Sequence, residues 1–173
     1  VSSLPNNYRW SIDMLIPEIE ECMELGIYTY DIFPAVDESL KDKVASYSYA
    51  DDNFYLNAIR TLKDKFPEIV LMSDVAMDPY SSDGHDGLVQ DGKILNDETL
   101  PILNKMALAQ AQAGIDIIGP SDMMDGRVES IRETLDINGY TDVSIMSYTA
   151  KYASAFYGPF RDALNSAPKS GDK

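Results

Sequence analysis

Apolar residues recur along the chain with two different periods. Spacings of three or four, which are typical of one face of a helix, occur in residues 15–23, 55–66, 100–111 and 128–135. Short apolar runs separate or follow these segments, at residues 27–34, 69–76, 115–119 and 143–147. Nearly continuous runs such as 69–76 are typical of strands buried on both faces of a parallel sheet. The pattern predicts four helices and four strands in strict alternation.

Strict alternation predicts the α/β class, with parallel strands joined by crossover helices. An open doubly wound sheet and a (β/α)8 barrel both fit it. No glycine-rich phosphate-binding motif follows a strand, which argues against a dinucleotide or P-loop site. Polar residues instead follow the last three predicted strands: Asp74, Asp78, Ser121, Asp122, Tyr148 and Lys151. Because barrels build active sites at the carboxyl ends of their strands, we predict a (β/α)8 TIM barrel.

The length and net charge of the chain limit its domain organisation and the partners it can bind. Its 173 residues suffice for about four of the eight βα units of a barrel, so we predict one partial barrel domain over residues 1–173. With 14 basic and 29 acidic residues the net charge is −15, which disfavours nucleic acid and anionic membrane surfaces. No apolar run is long enough to span a bilayer. Cys22 is the single cysteine and is expected to be buried and reduced, so bacterial cytoplasm is the default location.

Side chains that could cap the predicted helices precede three of them. Asp51 or Asp52 could accept the first backbone N–H groups of the second helix, and Asp125 those of the fourth. Asn96 or Asp97 could do the same for the third. We therefore expect these helices to begin with side-chain caps.

Residues 74–87 are the segment richest in carboxylates. Asp74, Asp78, Asp83 and Asp86 crowd together with His85, the single histidine. Carboxylates this close repel one another unless a cation or hydrogen bonds neutralise them, and oxygen ligands favour Mg²⁺ over Zn²⁺. A solvated Asp/Gly turn remains an alternative, and His85 is more simply a hydrogen-bonding loop residue than a ligand.

Lys151 lies just beyond the last predicted strand, and we expect aromatic side chains to surround it: Tyr148, Tyr152, Phe156, Tyr157 and Phe160. A lysine held among aromatic rings loses solvation, and its neutral amine can then attack a carbonyl to form a Schiff base. Arg161, ten residues later, could clamp a substrate carboxylate. A surface lysine beside core aromatics is the alternative.

Three motifs carry a resemblance to a known family: DVAMDPYSSDGHDG at 74–87, GPSDMMDGRV at 119–128 and IMSYTAKYASAFYGPFRDAL at 145–164. In this order and spacing they resemble porphobilinogen synthase (5-aminolevulinate dehydratase), over residues 8–173 and about the middle half of that family's chain. The resemblance implies a (β/α)8 barrel, assembled into homo-octamers or hexamers. It also implies condensation of two 5-aminolevulinate molecules to porphobilinogen, with loss of two waters, in tetrapyrrole (haem and chlorophyll) biosynthesis.

The resemblance also implies roles for individual residues. Lys151 is the imine-forming catalytic residue. The residues expected to contact substrate are Asp74, Ser121, Tyr157, Phe160, Arg161 and Lys173. Asp78 and Asp86 match metal-site positions of the active-site loop, and Asp122 matches a residue near an allosteric Mg²⁺.

The metal expected from the resemblance is Mg²⁺, with K⁺ in some members. Zinc-dependent members have cysteines where this sequence has Ala76, Asp78 and Asp86, so we expect no zinc site, and no organic cofactor is implied. The aspartate-rich subgroup occurs in plants and many bacteria. A plastid location is therefore expected if the source is a photosynthetic eukaryote.

The family's N-terminal arm and second Schiff-base lysine correspond to positions outside residues 1–173, together with the C-terminal half of the barrel. These residues alone are therefore expected to be inactive. Two other functions stay open: a class I aldolase-like Schiff-base lyase, and a segment that binds divalent cations without catalysis. An imine trapped at Lys151 with 5-aminolevulinate would separate the enzymes from the latter.

Overall fold

The computed structural model describes residues 1–152, 154, 155 and 157–164. Its helices are α1 (Ile12–Glu24), α2 (Phe54–Lys65), α3 (Asn96–Ala113), α4 (Arg127–Ile137) and α5 (Tyr157–Leu164). Its strands are β1 (Thr29–Ile32), β2 (Val70–Val75), β3 (Leu88–Gln90), β4 (Lys93–Leu95), β5 (Ile117–Pro120) and β6 (Ser144–Ile145). Short 3₁₀ turns lie at Glu38–Leu40 and Ser46–Tyr49. Within these ranges no helix is both long and apolar enough to cross a membrane.

Four parallel strands form the main sheet, in the order β1-β2-β5-β6. Each strand therefore pairs with the next main-sheet strand along the chain, and the order never reverses. A doubly wound sheet needs a reversal, whereas successive units of a barrel do not. The crossover helices also form one layer, because α3 packs against α2 on one side and α4 on the other. The topology thus favours the barrel over the open sheet.

The core lies between that helix layer and one face of the sheet. Leu71, Val75 and Ile118 point to this face and are completely buried against residues such as Ile59 and Leu103. The opposite face carries the alternate residues of the same strands. In a barrel that second face lines the interior, so it is where site residues of the strands are expected.

All four main strands lie where the apolar runs predicted them, but each is shorter than its run, and two are shorter by three residues or more. β1 covers only Thr29–Ile32 of residues 27–34, since the chain leaves the sheet ahead of Pro34, which has no N–H to donate. β6 is limited to Ser144–Ile145 because, among the described residues, it has a strand neighbour on one side only. Cys22 is partly exposed on α1 rather than buried.

A β-hairpin after the aspartate-rich loop is absent from the sequence prediction. β3 and β4 pair antiparallel, and Asp91 and Gly92 connect them with φ of 51° and 74°. Positive φ at both central residues is the requirement of a type I′ turn, for which Asp-Gly is a preferred pair. That dipeptide was the sequence signal for the hairpin.

The predicted helix caps are wrong in detail. Asn53 caps α2, accepting from the N–H groups of Tyr55 at 2.7 Å and Leu56 at 3.4 Å, and it is fully buried. Asp51 and Asp52 precede it in a turn, too early in the chain to reach these groups.

The predicted cap residues of α3 and α4 contact each other instead of capping. Asn96 is the first residue of α3, and its Oδ1 accepts from the Asp125 N–H at 2.7 Å. α4 follows Gly126, which has a left-handed conformation and no side chain that could cap. The pair therefore joins the two helix starts, and neither α3 nor α4 has a side-chain cap at its N-cap position.

We expect Asn53→Ala to lower the free energy of unfolding by about 1–2 kcal/mol, since the cap and a partly buried hydrogen bond to the Tyr47 carbonyl are both lost. Asp51→Ala and Asp52→Ala serve as matched controls and should change it by less than about 0.5 kcal/mol. Urea unfolding followed by circular dichroism measures all three. Equal losses in the three variants would contradict the assignment.

Candidate active site

A cleft of about 420 Å³, counting its open mouth, lies at the carboxyl ends of the main strands. Asp74 belongs to β2, Ser121 follows β5, and Lys151 follows β6. Because the strands are parallel, these three residues meet at one edge of the sheet. The other lining residues are Phe33, Pro34, Ala76, Asp78, Pro79, Tyr80 and Tyr157.

The Lys151 ammonium is anchored in this cleft by Ser121. Its Nζ donates to the Ser121 carbonyl at 2.5 Å and to the Ser121 Oγ at 3.0 Å. Nζ also lies 5.5 Å from the centre of the Tyr148 ring, within range of a cation–π contact. Ser121 is buried and fixed in place, whereas Lys151 is exposed. The two Ser121 oxygens therefore hold the Lys151 Nζ in position.

Asp74 and Tyr148 form the second contact of the cleft, since the Tyr148 hydroxyl donates to Asp74 Oδ1 at 2.9 Å. Burial raises the pKa of the Asp74 carboxyl, against the lowering effect of hydrogen bonds from Tyr148 and Ser121 and of the Lys151 charge. Burial also raises the pKa of the Tyr148 hydroxyl, and Asp74 raises it further. Tyr148 therefore keeps its proton and acts as a donor.

Gly119 makes room for the Asp74 side chain on the neighbouring strand. A Cβ at position 119 would lie 3.2 Å from Asp74 Oδ1 and 2.6 Å from Met72 Cε. The glycine lies opposite Asp74 in the β2–β5 register. A side chain there would require Met72 to move and would shift the Asp74 carboxylate by a few tenths of an ångström.

The aspartate-rich loop is folded into the protein and is not a solvated turn. Asp78, His85 and Asp86 are each less than 10% exposed, and Asp78 lines the cleft. The loop is fixed to the segment after β1, because the Asp42 N–H donates to the Tyr80 carbonyl and the Asp42 carbonyl accepts from Ser82 N–H at 2.9 Å.

Asp122 is a buried carboxylate with one oxygen left over. Its Oδ1 accepts from the Met124 N–H at 2.7 Å and lies 3.4 Å from Arg127 Nε, whereas Oδ2 has no hydrogen-bond partner. Burial raises the pKa of this carboxyl. A buried carboxylate oxygen without a hydrogen-bond partner can coordinate a hard cation such as Mg²⁺ or accept a hydrogen bond from a water molecule.

The side chains that could bind a metal can be compared with what zinc and Mg²⁺ each require. Within the part of the chain that the structure describes, no three residues among histidine, cysteine, aspartate and glutamate lie close enough to hold an ion together. Structural zinc sites need four such ligands and catalytic ones need three. Mg²⁺ usually binds through one or two carboxylates and keeps several waters, so Asp78, Asp86 or Asp122 fit it.

The predicted site residues divide into three groups. Asp74, Asp78, Ser121, Lys151 and Tyr157 share the cleft. Asp86 and Asp122 are buried but do not line it. The side chains of Phe160 and Arg161 lie outside the description, and so does Lys173.

The aromatic surroundings expected for Lys151 are found only in part. Tyr148 and Tyr157 lie near it, but Tyr152 is 81% exposed. Phe156 and the Phe160 side chain lie outside the described residues, and among the described residues Lys151 itself is exposed. The reason is its position after β6, the outer strand of the described sheet.

Comparison with known proteins gives the family. The sequence model of the family described as Delta-aminolevulinic acid dehydratase matches residues 1–173. The chain belongs to this family. A chloroplastic delta-aminolevulinic acid dehydratase of Physcomitrium patens is 57% identical over 160 residues, which are 92% of this chain and 37% of that protein. A delta-aminolevulinic acid dehydratase of Bradyrhizobium diazoefficiens is 53% identical over 174 residues, covering 100% of this chain and 49% of the relative.

A solved structure agrees with these relatives. The crystal structure of delta-aminolevulinic acid dehydratase (porphobilinogen synthase) from Toxoplasma gondii ME49, in complex with the reaction product porphobilinogen, is 51% identical, with a TM-score of 0.95. The similarity covers 99% of this chain and 49% of that one. This confirms the predicted fold class, and the chain is a partial (β/α)8 barrel that spans half or less of these dehydratases.

Asp31 is a charged residue near the cleft that the sequence analysis did not single out. It lies in β1 opposite Met72, so it shares a sheet face with Met72 and Asp74. Burial, together with the Asp74 charge, raises the pKa of the Asp31 carboxyl to about 6. Its sequence signal is a lone carboxylate within an otherwise apolar strand, between Tyr30 and Ile32.

The raised pKa of Asp31 makes stability depend on pH. Between its ordinary pKa of 3.8 and about 6, the folded chain holds a proton that the unfolded chain has released. The contribution of Asp31 to the free energy of unfolding is therefore greatest below pH 4, falls as the pH rises from about 4 to 6, and is lost above that range. We expect Asp31→Asn to be more stable than the parent at pH 7, with a smaller difference at pH 4, in urea unfolding.

Asp37→Asn is the control of opposite sign. The Ser39 hydroxyl and N–H donate to Asp37 and lower the pKa of its carboxyl, which stabilises the fold above the ordinary pKa. This variant should lose stability at pH 7. The same direction of change in both variants would contradict the Asp31 assignment.

Proposed function

We propose that this chain forms part of a porphobilinogen synthase, which condenses two 5-aminolevulinate molecules to porphobilinogen with loss of two waters. The proposal depends chiefly on the Lys151 Nζ, held by Ser121 at the carboxyl edge of a barrel sheet beside Asp74. The product bound in the Toxoplasma gondii structure, which is 51% identical to this chain, supports it. This reaction belongs to tetrapyrrole biosynthesis.

Lys151 is the nucleophile in this proposal. Its neutral amine attacks the C4 ketone of 5-aminolevulinate, the ketone oxygen takes a proton, and loss of that oxygen as water leaves an imine on Nζ. Ser121 directs Nζ through its carbonyl and hydroxyl oxygens. Tyr148 keeps a proton on its hydroxyl oxygen, next to Asp74. These contacts hold the amine in a fixed place ahead of attack, which lowers the entropic cost of the step.

Asp74 and Ser121 are proposed to face the substrate amino group. The Asp74 carboxylate accepts from the Tyr148 hydroxyl through Oδ1 and also from Ser121, and its remaining lone pairs would accept from the substrate ammonium. Tyr157 lines the same cleft. Arg161, Phe160 and Lys173 complete the site by resemblance, with the two cations assigned to the substrate carboxylate.

Mg²⁺ is the proposed metal, with K⁺ as an alternative in the active-site loop. Asp78 and Asp86 would hold it there, and Asp122 with its unpaired Oδ2 would lie near a second ion. When bound, such an ion supplies positive charge that offsets crowded carboxylates. Ala76 provides no ligand atom, which supports the exclusion of zinc.

We propose a homo-octamer, or a hexamer, for the assembled enzyme, by family resemblance. The location is plastid in a photosynthetic eukaryote or cytoplasm in a bacterium. Chloroplastic relatives in plants and a relative in Bradyrhizobium diazoefficiens support these two alternatives.

We expect Lys151→Ala to abolish porphobilinogen formation in the holoenzyme, because the imine cannot form. Lys105→Ala is the matched control, since the Lys105 Nζ lies 5.5 Å over the Tyr49 ring, as Lys151 does over Tyr148, but on α3. The control should keep the parental rate of product formation. A Lys151→Ala rate within about tenfold of the parent, or about 1.4 kcal/mol of barrier, would refute the assignment.

Metal dependence is the second expectation. Porphobilinogen formation should fall when EDTA removes divalent ions and should return with Mg²⁺, whereas a zinc-selective chelator should leave it unchanged. Because Asp78 and Asp86 supply oxygen where zinc enzymes have sulfur, their change to asparagine should raise the Mg²⁺ concentration needed. Restoration by Zn²⁺ and not by Mg²⁺ would contradict the proposal.

A further inference from the structure

Gln110 contacts the backbone of Asp74 from the helix side of the sheet. It lies on α3 and is 1% exposed. Its Nε2 donates to the Asp74 carbonyl at 2.9 Å, and its Oε1 accepts from the Ser73 hydroxyl at 2.7 Å. Ser73 is fully buried. One side-chain amide thus holds two consecutive residues of β2, at the end of the strand where the cleft begins.

The Asp74 carbonyl needs this donor because its strand neighbour ends early. The carbonyls of Leu71 and Val75 accept from N–H groups on the β5 side of the sheet. Since carbonyl direction alternates along a strand, the Asp74 carbonyl faces the β1 side. Pairing there ends at Ile32, and Pro34, two residues later, has no N–H.

Departure of β1 from the sheet opens the cleft. Phe33 and Pro34 turn away from β2 and become part of the cleft wall. Without another donor, this departure would leave a partly buried carbonyl unpaired, which is unfavourable inside a protein. The Gln110 amide occupies the place of the missing strand donor, so the cleft can open while Asp74 stays fixed.

We propose that Gln110 is a positioning residue of the active site, which sets the Asp74 carboxylate for recognition of the substrate amino group. The inference rests on the proposed function, since it takes Asp74 as the amine contact. The effect reaches the reacting lysine through Tyr148, whose hydroxyl donates to Asp74 and whose ring lies under the Lys151 Nζ. Loss of the Gln110 amide should therefore weaken the binding of amine-bearing ligands.

Two ligands that differ only in the amine provide the test. 5-Aminolevulinate and levulinate share the ketone and carboxylate, but levulinate has no amino group. In the holoenzyme, borohydride traps the imine of either ligand on Lys151, and its yield gives the half-saturating concentration. For Gln110→Met we expect an increase of about tenfold with 5-aminolevulinate and of less than about twofold with levulinate.

Asn104→Leu is the matched control. Asn104 is a second side-chain amide of α3, and it donates to the Ser130 hydroxyl of α4 at 2.8 Å, away from the cleft. Its loss should leave both half-saturating concentrations unchanged. Gln110→Asn, with a polar amide one methylene too short for Asp74, serves if the methionine variant does not fold, and the same selective change is expected.

Equal changes for the two ligands, or none, in folded Gln110 variants would overturn the inference and leave Gln110 a purely structural residue. Asp74→Asn separates that failure from failure of the proposed function. If this variant loses 5-aminolevulinate selectively while the Gln110 variants do not, only the positioning role is wrong. If Asp74→Asn also changes the half-saturating concentrations of both ligands equally, Asp74 does not bind the amino group. The positioning role of Gln110 is then wrong as well.

Discussion

Parallel pairing in chain order is the constraint on which the rest of this structure depends. Because β1, β2, β5 and β6 all run the same way, side chains more than 100 positions apart along the chain meet at one edge. The opposite edge is fixed by a carboxylate: Asp116 accepts from the Leu71 N–H at 2.8 Å and from the Lys63 Nζ at 2.9 Å. At this end of the sheet the strands are therefore held by an ion pair and a hydrogen bond. At the carboxyl end the side chains line the cleft.

Burial of acidic groups shapes that reactive edge. Asp31, Asp74 and Asp122 all have a raised pKa, with loss of hydration as the main cause in each. In a chain of net charge −15 such burial costs stability, and Lys151 offsets part of that cost for Asp74 and Asp122. Carboxylates at this edge attract cations, and the proposed amine substrate and the proposed Mg²⁺ both carry positive charge.

Most of the fold could be predicted from periodicity, because the apolar runs of the strands and the faces of helices α1 to α4 follow from burial alone. Because barrels build their active sites at the carboxyl ends of their strands, the sequence also predicted that Asp74, Ser121 and Lys151 lie close together. What sequence could not give were contacts between distant segments. Asn53 and Asp51 are equally good cap residues in isolation, and only the turn decides which one reaches the N–H groups. Gln110 lies on a helix face, where nothing local shows that its partner is a strand carbonyl 36 residues earlier.

The charged residues of the site were harder to predict than its location. Asp31 was overlooked because it interrupts an apolar strand, and its meaning depends on the register that sets it on the face of Asp74. Tyr152 was expected beside Lys151 by proximity in sequence, yet it points to solvent. Such errors arise because the backbone leaves the regular pairing of the sheet where a strand ends. Beyond that point, proximity in sequence does not show which way a side chain points.

The proposed function depends above all on a bond between Lys151 and the substrate. Its most direct test is to reduce the holoenzyme with borohydride in the presence of 5-aminolevulinate, digest it, and locate the added mass by peptide sequencing in a mass spectrometer. Within residues 1–173 the account predicts the reduced adduct on Lys151 and on no other lysine. An unmodified Lys151, with the adduct on another lysine of this segment or on none, would contradict it.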